Sequence, residues 1–150
     1  MVSSTGLLIV EDSPEDYEAT VRGFRRCGLR NPIFHCPNGE SALDFLHRRG
    51  RYGNPPAAPR PGIILLDLNL PGTSGGDVLA EIKRDEGLKD IPVIVLTTSV
   101  RDEDVAFCYR AGANSYVQKP VDLPRLLEAI QRLKEYWFEI SILPRRDSPE

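Results

Sequence analysis

Five short blocks of apolar, mostly branched residues punctuate the chain, at positions 7–10, 33–36, 63–66, 93–96 and 115–118. The first, third and fourth (LLIV, IILL and VIVL) are apolar at every position instead of alternating, as strands covered on both faces must be. Their starts lie 26, 30, 30 and 22 residues apart, with one segment of helical period in each interval. That is the spacing of strand–helix–strand crossovers, which place consecutive strands parallel with helices packed on the sheet. The rhythm predicts an α/β, doubly wound fold: a five-stranded parallel sheet between two helical layers.

The helical segments carry their own boundary signals. Ser13-Pro14 reads as an N-cap followed by proline in the first turn, with Gly28 closing a helix whose apolar set is Tyr17, Val21 and Phe24. A second helix is expected over 41–49 around Leu43 and Leu46, a third over 76–85 and a fourth over 103–111, ended by Gly112. From Leu123 onward, Leu126, Leu127, Ile130, Leu133 and Trp137 continue an apolar stripe at helical spacing. The stretch 50–62 holds Pro55, Pro56, Pro59 and Pro61 and reads as an extended surface loop. Residues 1–143 are expected to form one domain with a C-terminal extension, and 144–150 a flexible tail.

Composition narrows the class. The chain has 150 residues, 41% of them apolar and 27% charged, the balance of one soluble domain. No apolar run approaches the ~20 residues that cross a bilayer. The start, MVSSTG, has neither the basic nor the apolar region of a secretory leader, so a cytoplasmic protein is expected. Nineteen basic against 22 acidic residues give a net charge of −3, which argues against direct nucleic-acid binding. Cys27, Cys36 and Cys108 form no CxxC pair and read as reduced thiols.

Ligands of an open parallel sheet sit at the carboxyl ends of its strands. There this chain places Glu11 and Asp12 after the first strand, Asp67 after the third, Thr97 and Thr98 after the fourth, and Lys119 after the fifth. Either acid set alone fits helix capping. Three acids in one cleft, however, repel one another unless a cation intervenes, and hard oxygen ligands suit Mg²⁺. A metal, a carboxylate, a hydroxyl and an ammonium are what phosphoryl transfer to an aspartate requires.

Together these residues resemble a two-component response-regulator receiver domain over about 5–139. The resemblance lies in Glu11-Asp12, in Leu66-Asp67-Leu68-Asn69-Leu70-Pro71-Gly72 with Gly75, in Pro92 through Thr97, in Gly112-Ala113, and in Tyr116-Val117-Gln118-Lys119-Pro120. It implies a flavodoxin-like sheet of order 2-1-3-4-5 and phosphorylation of Asp67 by a partner histidine kinase. Glu11, Asp12, Asp67 and the Asn69 carbonyl would hold Mg²⁺, with glutamate at 11 where many members have aspartate. Thr97 and Lys119 would bind the phosphoryl group. Thr97 and Tyr116 would switch the surface of the fourth helix, fifth strand and fifth helix. Such a protein is no enzyme beyond its own phosphorylation and dephosphorylation. Glu11 to Asp16, the proline-rich loop and Tyr136-Trp137 also resemble the small regulators paired with bacterial phytochrome kinases.

The rival readings are an aspartate-nucleophile phosphohydrolase of the haloacid dehalogenase type and a binding module independent of phosphorylation. The former carries its nucleophile after the first strand in a DxD pair, whereas here the candidate follows the third strand and position 69 is Asn. A flavodoxin is disfavoured by the acidic first loop, and a Walker A motif is absent. Apolar residues beyond the last stripe (Tyr136, Phe138, Ile140, Ile142 and Leu143) point to a homodimer formed through the C-terminal helix and extension.

Overall fold

The computed structural model describes residues 5–55 and 57–144. Its sheet has strands β1 (Leu7–Val10), β2 (Ile33–Cys36), β3 (Ile63–Leu66), β4 (Val93–Thr97) and β5 (Ser115–Gln118). All pair in parallel, in the order β2-β1-β3-β4-β5. Five α-helices connect or follow them: α1 (Pro14–Arg26), α2 (Gly39–His47), α3 (Gly75–Arg84), α4 (Asp102–Ala111) and α5 (Leu123–Lys134). This is the flavodoxin-like architecture expected from the sequence.

Strand side chains alternate between two cores, although nearly every strand position is apolar. Leu8, Val10, Ile64, Leu66, Val93 and Val95 meet α2 and α3 through Leu43, Val78, Leu79 and Ile82. Leu7, Ile9, Ile63, Leu65, Ile94 and Leu96 face the other way, toward Phe24 of α1 and Leu126 and Ile130 of α5. The helices α1 and α5 approach closely at Gly23, where a β-carbon would lie 3.0 Å from Leu127 and 3.2 Å from Ile130.

Helix boundaries follow from side-chain caps. Helix α2 begins at Gly39, not 41, because Asn38 is the N-cap and Ser41 is its reciprocal partner in a capping box. Ser74 caps α3 by accepting from the Asp77 N–H, so that helix starts one residue before the expected 76. The loop 50–62 is less extended than its prolines suggest. It contains a 3₁₀ turn (Gly50–Tyr52), and Tyr52 packs edge-on against Phe45 with ring centroids 5.2 Å apart. Ala58 is buried in the same core; Pro56 lies outside the described residues.

At the C-terminus the helical stripe is narrower than its spacing implied. Leu126 and Ile130 are buried, but Leu123, the first residue of α5, is 48% exposed. A π-helical turn (Glu135–Ile140) continues α5 and folds part of the extension back, setting Phe138 edge-on to Phe24 at 6.5 Å. Tyr136, Ile140 and Ile142 stay exposed. Most of the expected flexible tail, residues 145–150, lies outside the described residues, as do residues 1–4 of the start.

Candidate phosphoacceptor site

Strand register assembles the site. Val10 of β1 is the partner of Leu66 of β3, so Glu11 and Asp67 leave the sheet at the same height. The Asp67 N–H donates to the Val10 carbonyl at 3.1 Å, and the Lys119 N–H donates to the Thr97 carbonyl at 2.6 Å. These backbone bonds continue the ladders one residue past the strands. Chain segments far apart in sequence are thereby brought together at one carboxyl edge.

Four of the five buried polar residues among those described collect at this edge, Thr20 of α1 being the fifth: Glu11, Asp67, Thr97 and Lys119 are each no more than 7% exposed, whereas Asp12 faces solvent. The Lys119 ammonium donates to Glu11 Oε1 at 2.8 Å, to Asp67 Oδ2 at 3.0 Å and to Asp16 Oδ2 at 3.0 Å. A buried cation and buried anions tolerate removal from water only when paired in this way. The other Asp67 oxygen, Oδ1, accepts from the Asn69 N–H at 3.0 Å, and Asn69 Nδ2 reaches the hydroxyls of Thr97 and Thr98 at 3.4 Å each. Gly75 supports this geometry from below: a β-carbon there would lie 2.2 Å from the Asp67 carbonyl oxygen, so α3 can start this close to the phosphoacceptor candidate only with glycine.

The side chains of Glu11, Asp12 and Asp67 each offer a carboxylate oxygen within 4.8 Å of the others. That all-oxygen donor set fits a hard divalent cation. The Lys119 pKa is raised: burial opposes this, and the hydrogen bonds it donates to Glu11 and Asp67 outweigh it. Burial pushes Glu11 up to about 7, and the Asp67 charge adds to the shift while the bond from Lys119 resists it.

The folded, metal-free chain therefore holds a proton on Glu11 between its ordinary pKa of 4.5 and about 7, where the unfolded chain has released it. Stability supplied by this group is present at acid pH and is lost as pH rises through that window. Urea titrations with a chelator present should show wild type losing about 1 kcal/mol between about pH 6 and pH 8 relative to Glu11→Gln. Parallel curves for the two proteins would contradict this.

Two contributors to the site were not legible as such in the sequence. Asp16 stands in the first turn of α1, where an acid ordinarily serves the helix dipole; its reach to Lys119 depends on how α1 docks. His35 of β2 stacks on Tyr17 with centroids 3.7 Å apart, and its Nε2 lies 2.8 Å from the Glu11 carbonyl oxygen. That oxygen can only accept, so Nε2 carries the proton and tethers the loop bearing Glu11 and Asp12. Near the other flank, Tyr116 is half-buried and its hydroxyl donates to the Ser99 carbonyl at 2.8 Å. The Ser99 hydroxyl in turn donates to Asp104 at 2.6 Å. All three cysteines are free, and no helix among the described residues is long and apolar enough to cross a membrane.

Comparison with known proteins agrees with this geometry. Residues 7–131 match the family model described as the response regulator receiver domain. The chain is 39% identical over 138 residues to response regulator Rcp1 of Synechocystis sp., covering 92% of each protein. Among solved structures, it resembles the phosphorylated cyanobacterial phytochrome response regulator RcpA, with a TM-score of 0.90 and 34% identity over 95% of this chain and 100% of that one. It likewise resembles the Mn²⁺-bound form of Rcp1, with a TM-score of 0.88 and 38% identity over 94% and 99%. A matched family model over most of the chain, the 2-1-3-4-5 sheet and an acidic cleft closed by a lysine converge on one conclusion: the chain belongs to the response regulator receiver domain family.

Proposed function

We propose that this response regulator accepts a phosphoryl group on Asp67 from a partner histidine kinase in an Mg²⁺-dependent reaction. The observation that carries this reading is the Asp67 carboxylate itself, held between the Lys119 ammonium and the Asn69 N–H beside a second pair of acids. A carboxylate oxygen of Asp67 attacks phosphorus, an O–P bond forms, and the P–N bond of the donor phosphohistidine breaks, its electron pair staying on the imidazole. Glu11, Asp12, Asp67 and the Asn69 carbonyl would hold Mg²⁺, which would supply charge neutralisation on the phosphoryl oxygens. Lys119 and the Thr97 hydroxyl bind the transferred group. Drawing Thr97 inward opens space for Tyr116, so phosphorylation favours one of two arrangements of the α4–β5–α5 surface.

Incubation with acetyl phosphate and Mg²⁺ tests the reading. Intact mass should rise by one phosphoryl group, the adduct should map to Asp67, and a chelator should prevent it. A wild-type protein that gains no adduct, or gains it elsewhere, overturns the proposal.

The likeness to RcpA and Rcp1 supports a bacterial phytochrome as the cognate kinase, and a cytoplasmic site of action. The exposed Tyr136, Ile140 (70%) and Ile142 (95%) support a homodimer through the end of α5 and the extension. Truncation after Glu139 removes Ile140 and Ile142 yet keeps Phe138 against Phe24. Light scattering at micromolar concentration should read a dimer for the full chain and a monomer for the truncation, with Asp67 phosphorylated equally in both. A monomer mass for the full chain in both phosphorylation states would exclude the dimer.

A further inference from the structure

The Lys119 ammonium has three N–H groups, and all three are engaged: by Glu11 at 2.8 Å, Asp67 at 3.0 Å and Asp16 at 3.0 Å. A lysine whose donors are all committed cannot add a bond to an incoming phosphoryl oxygen without surrendering one. The three partners are not equivalent. Glu11 and Asp67 are each 7% exposed, so as the donor approaches, before the O–P bond forms at Asp67, either carboxylate released from the ammonium has little water to replace the bond. The Asp16 carboxylate is 43% exposed and can be taken up by solvent when it is released.

Asp16 is also held in place independently of this contact. Its backbone N–H donates to the Ser13 hydroxyl at 3.2 Å, and its carbonyl accepts from Thr20 at 2.8 Å. Its side chain is therefore aimed at Lys119 by the first turn of α1, and no part of the helix cap depends on it.

We infer that Asp16 is a positioning residue that restrains Lys119 in the resting site, and that its bond to the ammonium is the first one surrendered as the phosphoryl group arrives. The restraint stabilises the unphosphorylated arrangement and is broken during transfer, so Asp16 slows phosphorylation. Removing it frees one N–H of Lys119 in advance. This inference rests on the proposed phosphorylation of Asp67 and assigns a regulator to that same step.

The full chain tests it. At saturating Mg²⁺, Asp16→Ala should be phosphorylated by acetyl phosphate about 3- to 10-fold faster than wild type, the range expected for loss of one charge-assisted bond discounted for partial exposure. Glu15→Ala removes the same charge one residue away, from a side chain that accepts from the Ser13 hydroxyl at 3.3 Å, and should stay within about two-fold of wild type. Equal acceleration by both variants would mean a general field effect and overturn the inference, as would an unchanged or slower Asp16→Ala.

A metal-free reading needs no phosphodonor. The Lys119 ammonium signal in ¹H–¹⁵N spectra should exchange faster with water in Asp16→Ala than in wild type, and identical exchange would show that Asp16 does not hold it. If wild type itself takes no phosphoryl group, the proposed function fails; if wild type is phosphorylated and Asp16→Ala matches it, only this inference fails.

Discussion

Asp67→Asn protein will take up no phosphoryl group from acetyl phosphate and Mg²⁺ and will nevertheless be the more stable fold. The amide cannot act as the nucleophile that a carboxylate is, so the adduct mass should vanish entirely. Its shape is preserved, and its carbonyl oxygen can still accept from Lys119 or from the Asn69 N–H. What disappears is one negative charge from a site where Glu11 and Asp16 already share the ammonium and the Asp12 carboxylate lies within 4.8 Å. Three repulsions are relieved for one attraction lost. Stability of the metal-free protein should rise by about 1 kcal/mol, a few degrees in Tm for a domain of this size. Loss of the adduct with a raised Tm separates missing chemistry from misfolding. Wild-type levels of labelling in the variant would refute the assignment of Asp67.

Lys119→Met should have the largest effect on stability. The substitution keeps an unbranched side chain of similar length and removes the only cation bonded to the buried Glu11 and Asp67 carboxylates among the contacts described for them. Breaking a buried pair by deleting one partner costs about 3–5 kcal/mol, because the remaining charge is left without compensation. Urea unfolding of the metal-free protein near pH 8 should show a loss in this range. Below about pH 6 the deficit should shrink, since Glu11, already pushed up to about 7 by burial in wild type, loses the ammonium that favoured its ionised form and takes up a proton. A variant as stable as wild type at pH 8, or a deficit independent of pH, would show that Lys119 is not compensating these acids.

The strands, their parallel order and the edge that bears the chemistry were legible in the sequence for a physical reason. Strand burial on both faces demands uninterrupted apolar runs, crossovers demand their spacing, and a parallel sheet sends whatever follows each strand to one common edge. Glu11, Asp12, Asp67, Thr97 and Lys119 could therefore be placed together from their positions in the chain, and register then brought the Lys119 ammonium within bonding distance of Glu11 and Asp67. Local caps shifted helix starts by a residue or two, because Asn38 and Ser74 compete for backbone donors in ways that periodicity does not record.

Only the tertiary structure decided the rest. Asp16 and Lys119 are separated by 103 residues, and their bond depends on the angle at which α1 packs beside α5 through Gly23. His35 belongs to a strand pattern that says nothing of the Glu11 carbonyl it tethers. Leu123 and Phe138 exchanged their expected roles: helical spacing put Leu123 in the core and Phe138 in the unpartnered extension, but Leu123 stands exposed in the first turn of α5 and the π-helical turn sets Phe138 against Phe24. Periodicity determines which face of an element is buried. How far that burial extends, and which distant side chain a long, flexible lysine finally grips, is set by how the elements dock.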